Sequence, residues 1–177
     1  MSSSIPFRSF NRPIPDISIA QTDDGSWIVK SNIPLGEYLT NIGTYFRRAA
    51  AEYPERPFLV QCRPEGDWPE LTYQRLQDEA DQVSSYLLAN GYGPEKSIMI
   101  MSGNSFSHAI LKVAALQVGV PVTACSPSYS LMGPDFSKLQ YALELTEPGL
   151  IFAEAGDAYA AALGSLDLAE LEVVTVT

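Results

Sequence analysis

The sequence has one histidine, two cysteines and few basic residues: 11 Lys and Arg stand against 21 Asp and Glu in 177 residues, a net charge of −10. Each scarcity closes off a class of function. A four-ligand zinc site cannot be assembled from Cys and His when His108, Cys62 and Cys125 are the whole supply. An acidic chain without a Lys/Arg cluster has no attraction for a phosphate backbone or an anionic membrane surface, so no nucleic acid and no membrane is expected as a partner. No apolar run approaches the ~18 residues of a membrane-spanning helix. The opening MSSSIPFRSFNRP also lacks the apolar core of a secretory signal. These features read as a cytoplasmic protein in which Cys62 and Cys125, each ending an apolar run, are buried free thiols.

Two catalytic signatures are missing as well. There is no Walker-type phosphate loop, and the nearest glycine pair, Gly91-Tyr92-Gly93, follows a helical pattern and lacks the third glycine of a dinucleotide fingerprint. It reads as a helix cap and a turn, which removes a small oxidoreductase from consideration. No G-x-S-x-G elbow exists to supply a hydrolase nucleophile.

What is present is an ordinary globular composition, 46% hydrophobic and 18% charged, long enough for one domain with a core. The first 37 residues stand apart. Pro6, Pro13, Pro15 and Pro34 interrupt any helix. ISIAQTDDGSWIVKS (residues 17–31) alternates apolar and polar positions about Asp24-Gly25, a hairpin pattern. This segment reads as an N-terminal arm, a ribbon laid across a larger body formed by residues 38–177.

In that body the period first becomes helical. Leu39, Ile42, Tyr45, Phe46, Ala49, Ala50 and Tyr53 fall on one face, and Pro54 ends the pattern. PFLVQC (57–62) reads as a buried strand. Thr72 is positioned to cap a helix that turns Leu76, Ala80, Val83 and Leu87 inward, ending at Asn90-Gly91. Strands and helices then alternate: SIMIM (97–101), a helix near 105–117, PVTAC (121–125), a helix near 135–145, GLIFAE (149–154), a helix near 157–163, and LEVVTV (171–176). Such alternation predicts an α/β fold with a mostly parallel sheet flanked by helices. Val113 and Leu116 are expected on the helix face that covers the sheet. A parallel strand normally feeds another helix, so VVTVT at the end suggests part of a longer chain.

The loops at the carboxyl ends of strands are where open α/β sheets bind ligands. MSGNS (101–105) passes from a strand into a helix. It offers either backbone N–H groups and a positive dipole end to an anion, or an ordinary cap from Asn104 or Ser105. His108, one turn on, is either a base facing the mouth of the sheet or a hydrogen-bonded helix-start residue. SPSYS (126–130) follows PVTAC and is either part of a site or a turn fixed by Pro127.

The order of these segments says more than any one of them. LTYQRLQDEADQVSSYLLANGYGPEKSIMIMSGNSFSHAILKVAALQVGVPVTACSP resembles the N-terminal region of the adenylate-forming enzymes, the acyl-CoA synthetase and luciferase superfamily. Leu71-Thr72-Tyr73 opens a helix as in that family. The family's Gly-x-x-x-Gly-Asp-like turn departs here to Gly91-Tyr92-Gly93-Pro94-Glu95-Lys96. Ser102-Gly103-Asn104 ends a strand, and Val118-Gly119-Val120-Pro121 joins a helix to the next one. Within the superfamily, DGSWIVKS, PLGEY (34–38), SPSYSLMGPDFSKL (126–139) and TEPGLIFAEAGDAYAAAL (146–163) are similar to feruloyl-CoA synthetases.

The resemblance implies a two-step ligase. ATP, with Mg²⁺ on its phosphates, adenylates an aromatic carboxylic acid such as ferulate, and the CoA thiol then displaces AMP. The family's Ser/Thr/Gly-rich loop followed by Pro-Lys-Gly does not occur in these residues, nor do its later ATP-binding segments. The chain is therefore expected to be an incomplete part of a larger N-terminal domain, inactive alone, without catalytic or metal-ligating residues and binding no cofactor. In CoA-forming members the loop after the VGVPVTAC-equivalent strand lies near the CoA nucleotide, which makes Ser126, Ser128 and Tyr129 the candidate CoA surface. The acid substrate and CoA are then the partners, with a homodimer left open. The alternative is a stand-alone α/β binding or scaffold module without catalysis.

Overall fold

The computed structural model describes residues 14–168 and 171–176. The breaks expected at Pro6 and Pro13 lie outside the described residues. The chain forms two units, Met1–Tyr38 and Leu39–Thr177.

In the first unit, β1 (Ile17–Gln21) pairs antiparallel with β2 (Trp27–Ser31), Ile19 opposite Val29. Of the two turn residues Asp24 and Gly25, only Gly25 takes a positive φ, 85°. Asp24 contributes its carboxylate, which accepts the Thr22 hydroxyl and, at 3.0 Å, the Ser26 amide. Those two donors hold the Asp24 carboxyl below its usual range.

The second unit begins with α1 (Ile42–Glu52), capped by Asn41, whose side chain accepts from Gly43 N at 2.7 Å. Sequence periodicity expects Leu39, Ile42, Tyr45 and Tyr53 on a buried face, but these four are 38–51% exposed. The buried stripe is Gly43 and Ala50, with Phe46 half-buried. The reason is a close approach: a Cβ on Gly43 would sit 2.9 Å from Gln117 Cα. The helix therefore rests on its glycine and turns the larger side chains outward.

Next, β3 (Pro57–Val60) pairs antiparallel with β4 (Glu70–Thr72), a short strand that the alternation did not reveal. Cys62 lies beyond the end of β3 and is exposed, which corrects the expectation of a buried thiol there; Cys125 is buried as expected. Thr72 caps α2 (Tyr73–Ala89) through a bond from Arg75 N. The remaining elements are β5 (Ile98–Met101), α3 (Phe106–Val118), β6 (Val122–Cys125), α4 (Ser128–Leu131), α5 (Ser137–Thr146), β7 (Leu150–Glu154), α6 (Gly156–Gly164) and β8 (Glu172–Val176).

The four-stranded sheet is parallel, in the order β6-β5-β7-β8. Its faces are buried separately. Ile98, Ile100, Leu150 and Phe152 pack with Leu111 and Ala115 of α3. Met99, Met101, Ile151 and Ala153 pack with Leu139 of α5 and Tyr159 and Ala162 of α6. A third cluster joins α2 and α3 to the β3–β4 pair through Leu71, Leu76, Ala80, Ile110, Val113 and Ala114. Val113 and Leu116 thus do not cover the sheet. Val113 faces α2, and Leu116 is half-buried on a cavity wall. Because α3 lies between the sheet and a second layer, it is apolar nearly all round and its phase is not encoded in a single stripe.

The edge strand β8 is tied down at its start. Glu172 accepts the hydroxyls of Tyr86 and, at 2.7 Å, Tyr92. The Lys96 ammonium lies 3.9 Å from the Tyr92 ring centroid. The Tyr86 hydroxyl, then that of Tyr92, holds the Glu172 carboxyl below its ordinary value. Burial first, and Glu172 second, pushes the Tyr92 phenol up.

Two measurements check this packing. Leu76 is fully buried, so Leu76→Ala should cost roughly 2–5 kcal/mol in chemical denaturation, whereas Leu116→Ala at the cavity wall should cost about half as much or less. Equal losses would return Leu116 to the core. The clamp predicts a pH signature. A carboxyl whose folded pKa is depressed stabilises fully above its unfolded value, about 4.3, and loses that contribution as pH falls through the folded one. Glu172→Gln should lower stability at neutral pH and flatten the acid limb of the stability profile. Parallel profiles for the two proteins would remove Glu172 from the clamp.

Candidate functional site

The strand order fixes where a ligand can enter. The chain leaves β5 for β6 on one side and returns to β7 on the other, so the switch point lies between β5 and β7 at their carboxyl ends. The loops there are residues 102–105 after β5, Ser126-Pro127 after β6, and Ala155 after β7, whose φ is 57°.

In the first loop Ser105, not Asn104, caps α3, its hydroxyl accepting from His108 N at 3.1 Å. Ser102 is 3% exposed, and its hydroxyl lies 2.8 Å from His108 Nδ1 and 3.0 Å from the Gly103 carbonyl. Nδ1 is itself 3.1 Å from that carbonyl. Ring and hydroxyl therefore satisfy one another around a single acceptor, and Nδ1 has no capacity left for a ligand. His108 is a hydrogen-bonded helix-start residue that locks the loop. Its ring lines a cavity of about 590 Å³ with Lys112, Asn104 and the rings of Phe46, Phe58 and Phe106.

The second loop is tighter than the sequence suggested. Pro127, at φ −52°, leads directly into the single turn α4. The Ser126 hydroxyl is 2.8 Å from that of Ser128 and accepts from Ser128 N at 3.3 Å. Both serines are thus engaged in holding the turn. Ser130 points inward, its hydroxyl buried and without a hydrogen-bond partner among the described residues. Tyr129 is the outward member, 37% exposed. The Lys138 ammonium lies 5.7 Å from the centroid of its ring. Tyr129 and Lys138 border a shallow cavity of about 600 Å³ with Thr123, Ser137, Tyr141 and Ala142. The sequence reading missed Lys138 and Tyr141, because a Gly-Pro loop separates them from Tyr129 and no periodicity connects the two sides. Burial raises the pKa of Cys125, at the end of β6, which makes it a poor nucleophile.

Chemically, the loop after β6 offers an aromatic face beside a cation. Among the described residues no cluster of three or more His, Cys, Asp or Glu side chains forms that could hold a metal ion, and no helix is long and apolar enough to cross a membrane.

Residues 46–177 match the model of the AMP-binding enzyme family. Over 121 residues the chain is 33% identical to the acyl-CoA ligase sidI of Aspergillus fumigatus, covering 68% of this chain and 18% of that protein. Over 103 residues it is 26% identical to a mitochondrial medium-chain acyl-CoA ligase of Homo sapiens, covering 58% and 15%. The chain therefore spans less than a fifth of the length of these relatives. Its fold is shared with a fatty acyl-adenylate ligase of L. pneumophila solved with acyl adenylate and pyrophosphate, at a TM-score of 0.65, 14% identity, and coverage of 77% of this chain and 23% of that one. It is shared too with a benzoate CoA ligase of Burkholderia xenovorans, at a TM-score of 0.61, 19% identity, and coverage of 78% and 26%.

Proposed function

Because the chain belongs to the AMP-binding enzyme family, we propose that it is the N-terminal portion of an ATP-dependent acyl-CoA synthetase. The observation that carries this reading is the match over residues 46–177, three quarters of the chain, together with the likeness to acyl-CoA ligases. For the acid, the reading is ferulate or a related hydroxycinnamate. It is supported by the segments DGSWIVKS, PLGEY, SPSYSLMGPDFSKL and TEPGLIFAEAGDAYAAAL, which resemble feruloyl-CoA synthetases. A cytoplasmic location belongs to the same proposal.

The residues present do not fit ATP or Mg²⁺. The Ser/Thr/Gly-rich phosphate loop is not in the sequence, and the described residues gather no carboxylate cluster. No step of adenylation is assigned to this chain. Its own part is structural and, at one edge, adhesive: it builds the sheet and presents Tyr129 and Lys138 as a ring and a cation for the CoA nucleotide. Ser126 and Ser128 support that surface by fixing the turn.

Two experiments follow. Calorimetric titration of the 177-residue chain with ATP and Mg²⁺ should give no binding of useful affinity. A micromolar site would mean that an unrecognised phosphate cradle exists. In the complete enzyme, Tyr129→Ala should raise the apparent KM for CoA several-fold, in keeping with the ~0.5–1.5 kcal/mol of a stacked ring beyond its buried area. Pyrophosphate release driven by acid and ATP without CoA should keep its rate. Loss of adenylation, or no change in either half-reaction, would leave Tyr129 as a structural residue of the turn.

A further inference from the structure

We infer that the cavity between α1, β3 and α3 is a binding site for an aromatic carboxylate, separate from the surface proposed for CoA. Its volume of about 590 Å³ lies within the range of small-molecule sites. The residues that shape it run from Ile42 to Leu116 and belong wholly to the second unit.

One side of the cavity is aromatic. Phe46 and Phe58 meet edge to face, ring centroids 5.6 Å apart, and Phe106 joins them from the start of α3. A flat aromatic guest packs on such rings in offset or edge-to-face geometry. Leu59, Val113 and Leu116 add aliphatic surface.

The polar lining brings donors and no anion. His108 and Lys112, four residues apart, share one face of α3. No Asp or Glu is among the described residues that line the cavity, in a chain with 21 acidic and 11 basic residues. Lys112 is in no ion pair or hydrogen bond among the described residues, whereas Arg47, Arg63 and Arg75 are engaged by Asp81, Asp67 and Glu79. His108 Nδ1 is held by Ser102 and the Gly103 carbonyl, which leaves Nε2 as the ring's open nitrogen. Ser105 closes the start of α3 with its own hydroxyl, so the open helix end that suits a phosphate is not offered. A single ammonium beside an imidazole, facing three phenyl rings, matches a monoanion with a flat apolar body. The cavity also borders the switch-point loop at Asn104 and Ser105.

The test uses trans-cinnamate as the probe and the Cε1–H resonance of His108, the sole histidine, as the reporter. Titration of the 177-residue chain should move that resonance saturably, with a Kd of roughly 1 mM or tighter, the range open to a ligand of this size. Amide shifts should cluster in α1, β3 and α3. Lys112→Gln should weaken cinnamate about two- to five-fold, the scale of a solvent-exposed ion pair, and leave the neutral cinnamyl alcohol as it was. Ala109→Leu, which fills the cavity from a helical position, should abolish binding of both, with near-ultraviolet circular dichroism confirming the fold. In the complete enzyme, equilibrium dialysis should count one more bound cinnamate than its Ala109→Leu variant takes. None of these readouts requires ATP or CoA, so they stand apart from the acyl-CoA synthetase reading. No saturable shift, shifts confined to Tyr129 and Tyr141, or equal loss of acid and alcohol in Lys112→Gln would each overturn the proposal. So would a folded Ala109→Leu that binds as before, or equal counts in the complete enzyme, where the rest of the polypeptide then fills the cavity. If Ala109→Leu unfolds, the shift pattern and the Lys112→Gln comparison decide.

Discussion

The structure depends on burying one strand completely. Ile98, Met99, Ile100 and Met101 of β5 are 0–1% exposed, hydrogen-bonded to β6 on one side and β7 on the other. A four-residue parallel strand is stable only when both of its faces are dry, which forces helices onto both sides of the sheet. Ile98 and Ile100 recruit α3; Met99 and Met101 recruit α5 and α6. The same burial sets the site, because a strand with neighbours reached in opposite directions is where the loops of an open sheet diverge.

Legibility in the sequence followed the same physics. The second half was read nearly element for element, since β5, β6, β7 and β8 are short apolar runs punctuated by capped helices whose ends Thr72, Ser105 and Gly119 announce. Errors arose where tertiary contact overrode pattern. α1 shows a clean helical stripe, yet Gly43 lets it approach Gln117 and turns that stripe outward. The phase of α3 is unreadable because both of its faces are buried. β4 and α4, at three and four residues, are shorter than any periodicity can resolve.

The site was legible as a place and not as an arrangement. Sequence order located the loops after β5 and β6, but could not say that their polar groups would be spent on each other. Ser102 closes onto His108, Ser126 onto Ser128, and Ser105 onto the first turn of α3. Internal satisfaction of this kind stiffens a loop and withdraws its donors from solvent. Tyr129 escapes because it lies on the open side of the single turn α4, beside Lys138, while Ser130 takes the buried side.

The chain spends its loop hydroxyls on loop geometry and leaves several apolar side chains open. Tyr45 and Tyr53 on α1, Val60 on β3 and the valines of β8 are all exposed, and they lie on different elements. Apolar side chains scattered singly over different elements are ordinary and mark no interface by themselves. A net charge of −10 favours dispersal of such a chain. At β8 one carboxylate does the fixing: Glu172 accepts the hydroxyls of Tyr86 on α2 and of Tyr92 just beyond it, so the start of the strand is held to the helix that precedes β5 as well as to its neighbour β7. A single side chain thereby couples the register of β8 to the helical layer, which backbone pairing alone would leave to the sheet.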